Sequence, residues 1–304
     1  MNRHRPTTGP PSTETDWWEL VSAGRALTVH TGPVPAGVWD RVLPHLPGVT
    51  GPPWPYPDAD GSRPVAHVPD GAGVGDVRRL LNAHLHLLHL AAGCLALHAV
   101  AVERDGVAVL LLGPHGAGKS LTALALAERG WRILAGDVTL LDTPFPDSTT
   151  GYRLVGGTSA FIVRPGAVHR WLPGLPLPAD PGDRIDLAGH PGLLDRAPGG
   201  PVPFTAAVTV DVDGDPRTGD APELLDAHTA VSVWWRASSH LLDRVLDHGD
   251  LVLRTLETEP LAHHRLLMVR ALADQVPLHT ARGTPQHLAD RIDHLTRTHA
   301  GGTP

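Results

Sequence analysis

The chain has 304 residues, 41% of them hydrophobic and 19% charged, enough for one large globular domain or two small ones, which excludes wholesale disorder. A formal net charge of -7 excludes a general electrostatic attraction to nucleic acid or to an anionic membrane. The single cysteine, Cys94, excludes an intramolecular disulfide framework and a thiolate zinc cage, so a reducing cytoplasm is the default address.

Residues 1–15 are too poor in apolar groups to repay ordering and are expected to form a disordered tail without the apolar core of a signal peptide. The most apolar stretch, Leu80 to Val102, is interrupted by His84, His86, His89 and His98, so no membrane span is expected. Residues 16–31 read as strand, 35–45 as a short helix and 48–64, dense in Pro and Gly, as a loop. A helix over 75–92 carries the broad apolar stripe of Val77, Leu80, Leu81, Leu85, Leu88 and Leu90, and Asp76 in its first turn suits the helix dipole. A strand over 95–102, an Asp105-Gly106 hairpin turn and a second strand over 107–112 follow. Then come a loop at 113–120, a helix over 121–129 capped by Gly130, and a strand over 131–135 that ends at Gly136-Asp137 and continues through 138–141. Beyond a Pro-rich loop at 142–147, strands are expected at 153–155, 160–163 and 204–212, a short helix at 166–171, and loop over most of 172–203. Helices over 222–248, 263–275 and 285–296, with a strand at 276–280, complete an α/β layout. The chain divides into the tail (1–15), a smaller N-terminal α+β region (16–92) and a P-loop domain (93–300) on a mixed β-sheet.

The chemistry concentrates at Gly113-Pro114-His115-Gly116-Ala117-Gly118-Lys119-Ser120, a G-x-x-x-x-G-K-[ST] motif between a strand and a helix. Such a loop turns successive backbone N–H groups around phosphate oxygens, the lysine reaches the terminal phosphates, and the serine hydroxyl can ligate Mg²⁺. Gly113 to Ser120, with Leu121 after it, are therefore the expected nucleotide-binding residues, for ATP with Mg²⁺. Lys119 is the only lysine of the chain; every other basic side chain, histidines aside, is arginine, which singles out a place where a compact ammonium is needed. Asp137, eighteen positions later at a strand end, falls where α/β sheets gather ligands; it can hold Mg²⁺ beside Ser120, accept the proton of an incoming hydroxyl, or merely open the turn. His98, on the strand before the hairpin, is one of 20 histidines and draws interest only through its neighbours. Arg164 and Arg184 are candidate clamps for phosphate or an acidic substrate group, though an exposed arginine is more often simply solvated. His84, His86 and His89 lack the spacing of a zinc helix and read as a polar helix edge. Trp17, Trp18, Trp39 and Trp54 read as packing of the N-terminal region, or as a peptide-docking surface.

The stretch LHAVAVERDGVAVLLLGPHGAGKSLTALALAERGWRILAGDVTLLD resembles the kinase core of the HPr serine kinase/phosphorylase family, whose fold is akin to that of phosphoenolpyruvate carboxykinases. A strand-borne His, a hairpin, a P-loop, a helix ending in Arg-Gly and a strand ending in Ala-Asp-Asp follow there at the same spacings. The resemblance covers roughly Leu95 to Asp142. It implies that His98 is the active-site histidine, that Lys119 and Ser120 serve phosphate and Mg²⁺, and that Asp137 is the base for an acceptor hydroxyl, so that His98, Lys119 and Asp137 form the catalytic set. Two departures accompany it: Gly136 stands where the family has its first Asp, and Ile162-Val163-Arg164-Pro165 stands near where the family has Glu-Ile-Arg-Gly, without the Glu. Both remove a potential Mg²⁺ carboxylate and speak against the reverse, phosphate-removing reaction.

The function expected is phosphoryl transfer from ATP to a hydroxyl, a serine by preference, of a peptide or protein acceptor. By resemblance the acceptor could be a ribosomally made precursor peptide. A small-metabolite kinase is the alternative within enzymes, but it would begin its sheet with the P-loop strand; an ATP-binding regulatory or scaffold protein is the alternative outside them, favoured by Gly136 and the missing Glu. Family members are often oligomeric, so a homo-oligomer is admissible, although no assembly surface is legible.

Overall fold

The computed structural model describes residues 16–32, 37–56, 63–143, 151–178, 182–189, 201–213 and 222–300. The expected tail at 1–15 lies outside the described residues, as do parts of the loops expected at 48–64, 142–147 and 172–203.

The strand-like stretch at 16–31 is a hairpin: β1 (Trp17–Ser22) turns back through Ala23-Gly24 into β2 (Arg25–His30), with Ser22 opposite Arg25. α1 (Val38–Val42) follows and tightens into a 3₁₀ turn at Leu43–His45. Two very short strands complete a sheet of order β3-β1-β2-β4: β3 (Trp54–Pro55), inside a segment expected to be loop, and β4 (Val65–His67). At two and three residues they are too short for alternation to be read in sequence. Leu20, Leu27, Val29 and Ala66 of this sheet pack on Val38 and Val42 of α1 and on Val77, Leu81 and Leu85 of α2 (Val74–Ala91). α2 is also covered elsewhere: Leu80 and Ala83 meet Leu242, Leu246 and Leu253, and Leu90 joins the core beneath the main sheet. This enclosure corrects the expected polar helix edge, because His86 and His89 are buried. His89 Nε2 lies 2.7 Å from Ser22 Oγ, whereas neither ring nitrogen of His86 has a hydrogen-bond partner among the described residues.

The main sheet follows the path β5-β9-β10-β13-β7-β6-β8, with β15 added on β13. The strand expected over 95–102 is two strands broken at Ala99: β5 (Cys94–His98) and β6 (Val100–Arg104). β6 turns through Asp105-Gly106 into β7 (Val107–Leu112), the expected hairpin. α3 (Lys119–Ala127) leads through Gly130, around which the Trp131 N–H returns to the Leu126 carbonyl at 3.2 Å, to β8 (Arg132–Ala135). β9 (Val138–Asp142) does not continue β8 in the same pairing: β8 pairs with β6, whereas β9 pairs with β5 and with β10 (Arg153–Gly157). The chain thus crosses between the two halves of the sheet twice, at Ala99 and at Gly136-Asp137. The Thr139 hydroxyl donates to the Ala99 carbonyl at 2.9 Å where the crossings meet.

Two-residue strands β11 (Ile162–Val163) and β12 (Ile185–Asp186) flank α4 (Pro165–Trp171), so the strand expected at 160–163 is shorter and part of the long loop is ordered. β13 (Val202–Val212) runs parallel to β7 and to β15 (Leu278–Gly283). β7 is buried along almost its whole length, which explains its unbroken apolar run. The helix expected over 222–248 is trimmed at both ends. β14 (Glu223–Leu224) pairs with β15, and Asp226, whose carboxylate accepts the Thr229 N–H at 3.0 Å, starts α5 (Ala227–Ser239). Past His240 the chain is turn rather than helix, with Val245 bridged to Val252. α6 (Glu259–Gln275) and α7 (Pro285–Ala300) close the fold. α3 and α7 cover one face of the sheet through Leu124, Leu126, Leu288 and Ile292; α5 and α6 cover the other through Trp234, Val269 and Leu272. The architecture is a mixed α/β fold with a P-loop core. Among the described residues no helix is long and apolar enough to cross a membrane.

Candidate active site

The P-loop leaves β7 and enters α3, which begins at Lys119, two residues earlier than expected. Gly118 has φ +91, and a Cβ there would stand 2.2 Å from Val212 Cγ2, so the loop approaches β13 more closely than any side chain permits. Lys119 is 8% exposed. Its Nζ donates to the carbonyls of Gly113 at 2.8 Å and Pro114 at 3.3 Å and lies 3.3 Å from His98 Nε2. Burial brings its pKa down to about 8, against the opposing pull of the Asp137 carboxylate.

His98 is the last residue of β5 and Asp137 the residue before β9, and the pairing of His98 with Val138 brings the two crossings together. His98 Nε2 stands 3.2 Å from Asp137 Oδ1. Nε2 carries one hydrogen or one lone pair, so it can accept from Lys119 or, protonated, donate to Asp137, but not both. The Asp137 backbone is pinned, because the Thr158 hydroxyl oxygen accepts the N–H groups of Asp137 at 2.9 Å and Val138 at 3.1 Å. Crowding alone would raise the Asp137 pKa. The hydrogen bond from His98 and the positive charge of His98 and Lys119 outweigh it and hold the carboxyl well below the usual range. Its side chain nevertheless keeps 57% of its surface, since it stands in an open cleft.

Sequence reasoning missed His240. Its ring stacks on His98 at 3.7 Å between centroids, 14° from parallel, and its Nε2 lies 3.1 Å from an Arg244 guanidinium nitrogen. Burial, then the charges of His98 and Arg244, push its pKa down to about 3, so it is a neutral plate behind His98. No local motif marks a residue that enters from the end of α5.

These groups line one cleft of about 740 Å³. Pro114 to Leu121, His98 and Asp137 all face it, whereas Gly113 contributes its carbonyl to Lys119 rather than a surface to the cleft. Arg164 and Arg184 line it too, and Arg164 lies 3.2 Å from His115 Nε2 of the P-loop. Arg78, Arg79 and Arg244 are cations that sequence reasoning did not place there. Among the described residues, Asp137 is the only carboxylate of the lining. Gly136 leaves no room for another: a Cβ would sit 1.9 Å from the Ala160 carbonyl oxygen. One ionised carboxylate and the Ser120 hydroxyl fit Mg²⁺, an ion usually held by one or two carboxylates together with substrate phosphates and water. Among the described residues no group of three or more His, Cys, Asp or Glu side chains could hold a metal without such help.

No family model matches the chain. It is 50% identical over 68 residues to the HPr kinase/phosphorylase of Treponema pallidum, a match covering 20% of this chain and 21% of that protein. It is 47% identical over 58 residues to that of Limosilactobacillus reuteri, covering 19% and 18%. Against the HPr kinase/phosphorylase of Bacillus pumilus it is 45% identical over 56 residues, covering 18% of each. The chain therefore spans about a fifth of the length of the curated relatives it matches, and over that fifth it is HPr-kinase-like. Among solved structures, the Hpr(Ser) kinase/phosphatase of Coxiella burnetii overlays 68% of this chain and 93% of its own at 12% identity, with a TM-score of 0.30, a loose likeness.

Proposed function

We propose that this HPr-kinase-like chain transfers the γ-phosphoryl group of ATP, with Mg²⁺, to a serine hydroxyl of a peptide or protein. The observation that carries the reading is the contact series Lys119 Nζ, His98 Nε2, Asp137 Oδ1 at the mouth of the P-loop. It sets a phosphate-seeking ammonium and a carboxylate held in its ionised form on either side of one imidazole nitrogen. Lys119 exchanges its P-loop carbonyls for phosphate oxygens when a nucleotide binds. That exchange frees Nε2 from Lys119, and an Nε2–H then donates a hydrogen bond to the Asp137 carboxylate, which stays ionised, orients the acceptor hydroxyl and accepts its proton as the bond to phosphorus forms. Mg²⁺, held by Ser120, Asp137 and the phosphates, would neutralise charge on the transferred group. Transfer through a loose transition state needs positioning and charge more than covalent help, so a single carboxylate is sufficient.

The test incubates the protein with γ-labelled ATP, Mg²⁺ and lysate of the source organism, comparing wild type with Lys119→Ala and Asp137→Asn. Label on a serine with wild type alone supports the reading and identifies the acceptor. If no label appears while nucleotide still binds through Lys119, the reading gives way to an ATP-binding regulatory protein.

A further inference from the structure

The cleft is far more cationic than the chain that builds it. Arg78, Arg79, Arg164, Arg184, Arg244 and Lys119 face one carboxylate, in a protein of net charge -7. Arg79 is satisfied by Asp76 and Asp247, each within 2.9 Å, and Arg164 rests on the P-loop His115. The guanidinium groups of Arg78 and Arg184 have no hydrogen bond or ion pair among the described residues, and that of Arg244 has only the neutral His240. Half-buried Arg78 loses solvation and lies in the field of Arg79, Arg244 and Arg184, opposed by the Asp137 carboxylate. Guanidinium groups that outnumber the carboxylates of the cleft lining among the described residues, in a cleft that focuses their field, are matched by a ligand that brings carboxylates.

The gathering is built rather than adventitious. Arg78 belongs to α2, Arg184 to the turn before β12 and Arg244 to the segment after α5. Asp76, 3% exposed, staples the last of these to α2 by accepting the backbone N–H groups of Asp247 and His248, each at 2.9 Å. Leu242 and Leu246 pack on Leu80 and Ala83 beneath the staple. Arg244 is anchored on His240 and Arg78 is felt by Asp137, so both belong to the side of the cleft where the acceptor hydroxyl would stand; Arg184 acts on Arg78 and also on the P-loop His115, and so stands between that side and the nucleotide. The adjoining hollow of about 490 Å³ shares Arg78 and His45 with the cleft but contains Asp40 and Asp186, so the unbalanced positive charge is confined to the cleft itself.

We propose that Arg78, Arg184 and Arg244 form an acceptor subsite that takes the carboxylates of an acidic peptide flanking the reacting hydroxyl. The proposal rests on the phosphotransferase reading for the word acceptor, but its test does not depend on transfer. Two fluorescein-labelled peptides, Glu-Glu-Ser-Glu-Glu and Gln-Gln-Ser-Gln-Gln, are titrated by anisotropy with the full chain, with and without Mg²⁺ and a non-hydrolysable ATP analogue. Wild type should bind the Glu peptide at least tenfold more tightly than the Gln peptide, and the preference should shrink in high salt. Arg78→Gln, Arg184→Gln and Arg244→Gln should each remove several-fold of that preference while the affinity for the ATP analogue stays within twofold. Arg184 and Arg244 are exposed, so their variants keep the test valid if Arg78→Gln fails to fold. Equal binding of the two peptides overturns the proposal, as does an equal loss of nucleotide affinity, which would assign the arginines to the triphosphate. A Glu preference that persists in wild type without any nucleotide binding leaves the acidic-peptide site standing and refutes the transfer reading instead.

Discussion

Replacing Gly136 with Asp restores the carboxylate pair of the kinase family in sequence, and the structure predicts that it destroys the site rather than improving it. The new Cβ would lie 1.9 Å from the Ala160 carbonyl oxygen and 2.9 Å from its carbon, both backbone atoms that cannot rotate away. An ordinary contact needs about 3.5 Å, so one strand crossing must move by roughly 1.5 Å. Three hydrogen bonds span that gap: Gly136 N–H to the Thr158 carbonyl at 3.1 Å, and the N–H groups of Asp137 and Val138 to the Thr158 hydroxyl at 2.9 and 3.1 Å. At about 1 kcal/mol each, their loss with the accompanying strain costs on the order of 2–4 kcal/mol. For a chain of 304 residues that lowers Tm by roughly 3–6 °C. Gly136→Ala should show most of the same loss, since Cβ alone makes the clash. Thermal unfolding followed by circular dichroism, with nucleotide binding measured beside it, checks both variants. A Gly136→Asp protein with wild-type Tm and tighter Mg²⁺ binding would refute the reasoning.

Two further outcomes follow from buried ionisable groups. Lys119, with a pKa of about 8 in the free protein, must be protonated to hold phosphate. Affinity for an ATP analogue should therefore fall roughly tenfold between pH 7 and pH 9, and Lys119→Arg, whose charge does not titrate there, should flatten that slope whatever its absolute affinity. His86 is fully buried with neither ring nitrogen hydrogen-bonded among the described residues, and burial pushes its pKa down to about 3. The unfolded chain takes up a proton at this residue below about pH 6.5 that the folded chain refuses, so its contribution destabilises the fold as pH falls from there toward 3. His86→Leu should stabilise by about 1–3 kcal/mol at neutral pH, with a larger gain at pH 5.5; denaturant titrations of both proteins at the two pH values measure it.

What the sequence disclosed is what local chemistry dictates. The apolar stripe of α2, the Asp105-Gly106 turn, the phosphate loop and the close of α3 at Gly130 each depend on neighbours within a few positions. The break at Ala99 was hidden because residues 94–102 are apolar enough to serve two buried strands as well as one, and only the pairing of β5 with β9 and of β6 with β7 separates them. The helix over 222–248 was overextended because its apolar content continues past His240, while the interactions that take over there are tertiary: the Asp76 staple and the packing of Leu242 and Leu246. Lys119 and Asp137 are marked by a motif and its spacing and His98 by the family resemblance, and the strand crossings bring the three together. His240, Arg78 and Arg244 carried no such mark, for their place in the cleft depends on contacts between segments more than a hundred residues apart.

The central claim is that Lys119 and the P-loop hold the nucleotide while Asp137 serves the acceptor, so binding and transfer should separate. Calorimetric titration of an ATP analogue without Mg²⁺, so that Asp137's part in holding the ion does not enter, set beside the rate of label transfer from Mg²⁺-ATP to the acceptor, measures that separation in Asp137→Asn. The account predicts nucleotide affinity within about threefold of wild type and transfer lower by at least about a hundredfold. An equal fall in both, or transfer that survives without the carboxylate, would contradict it.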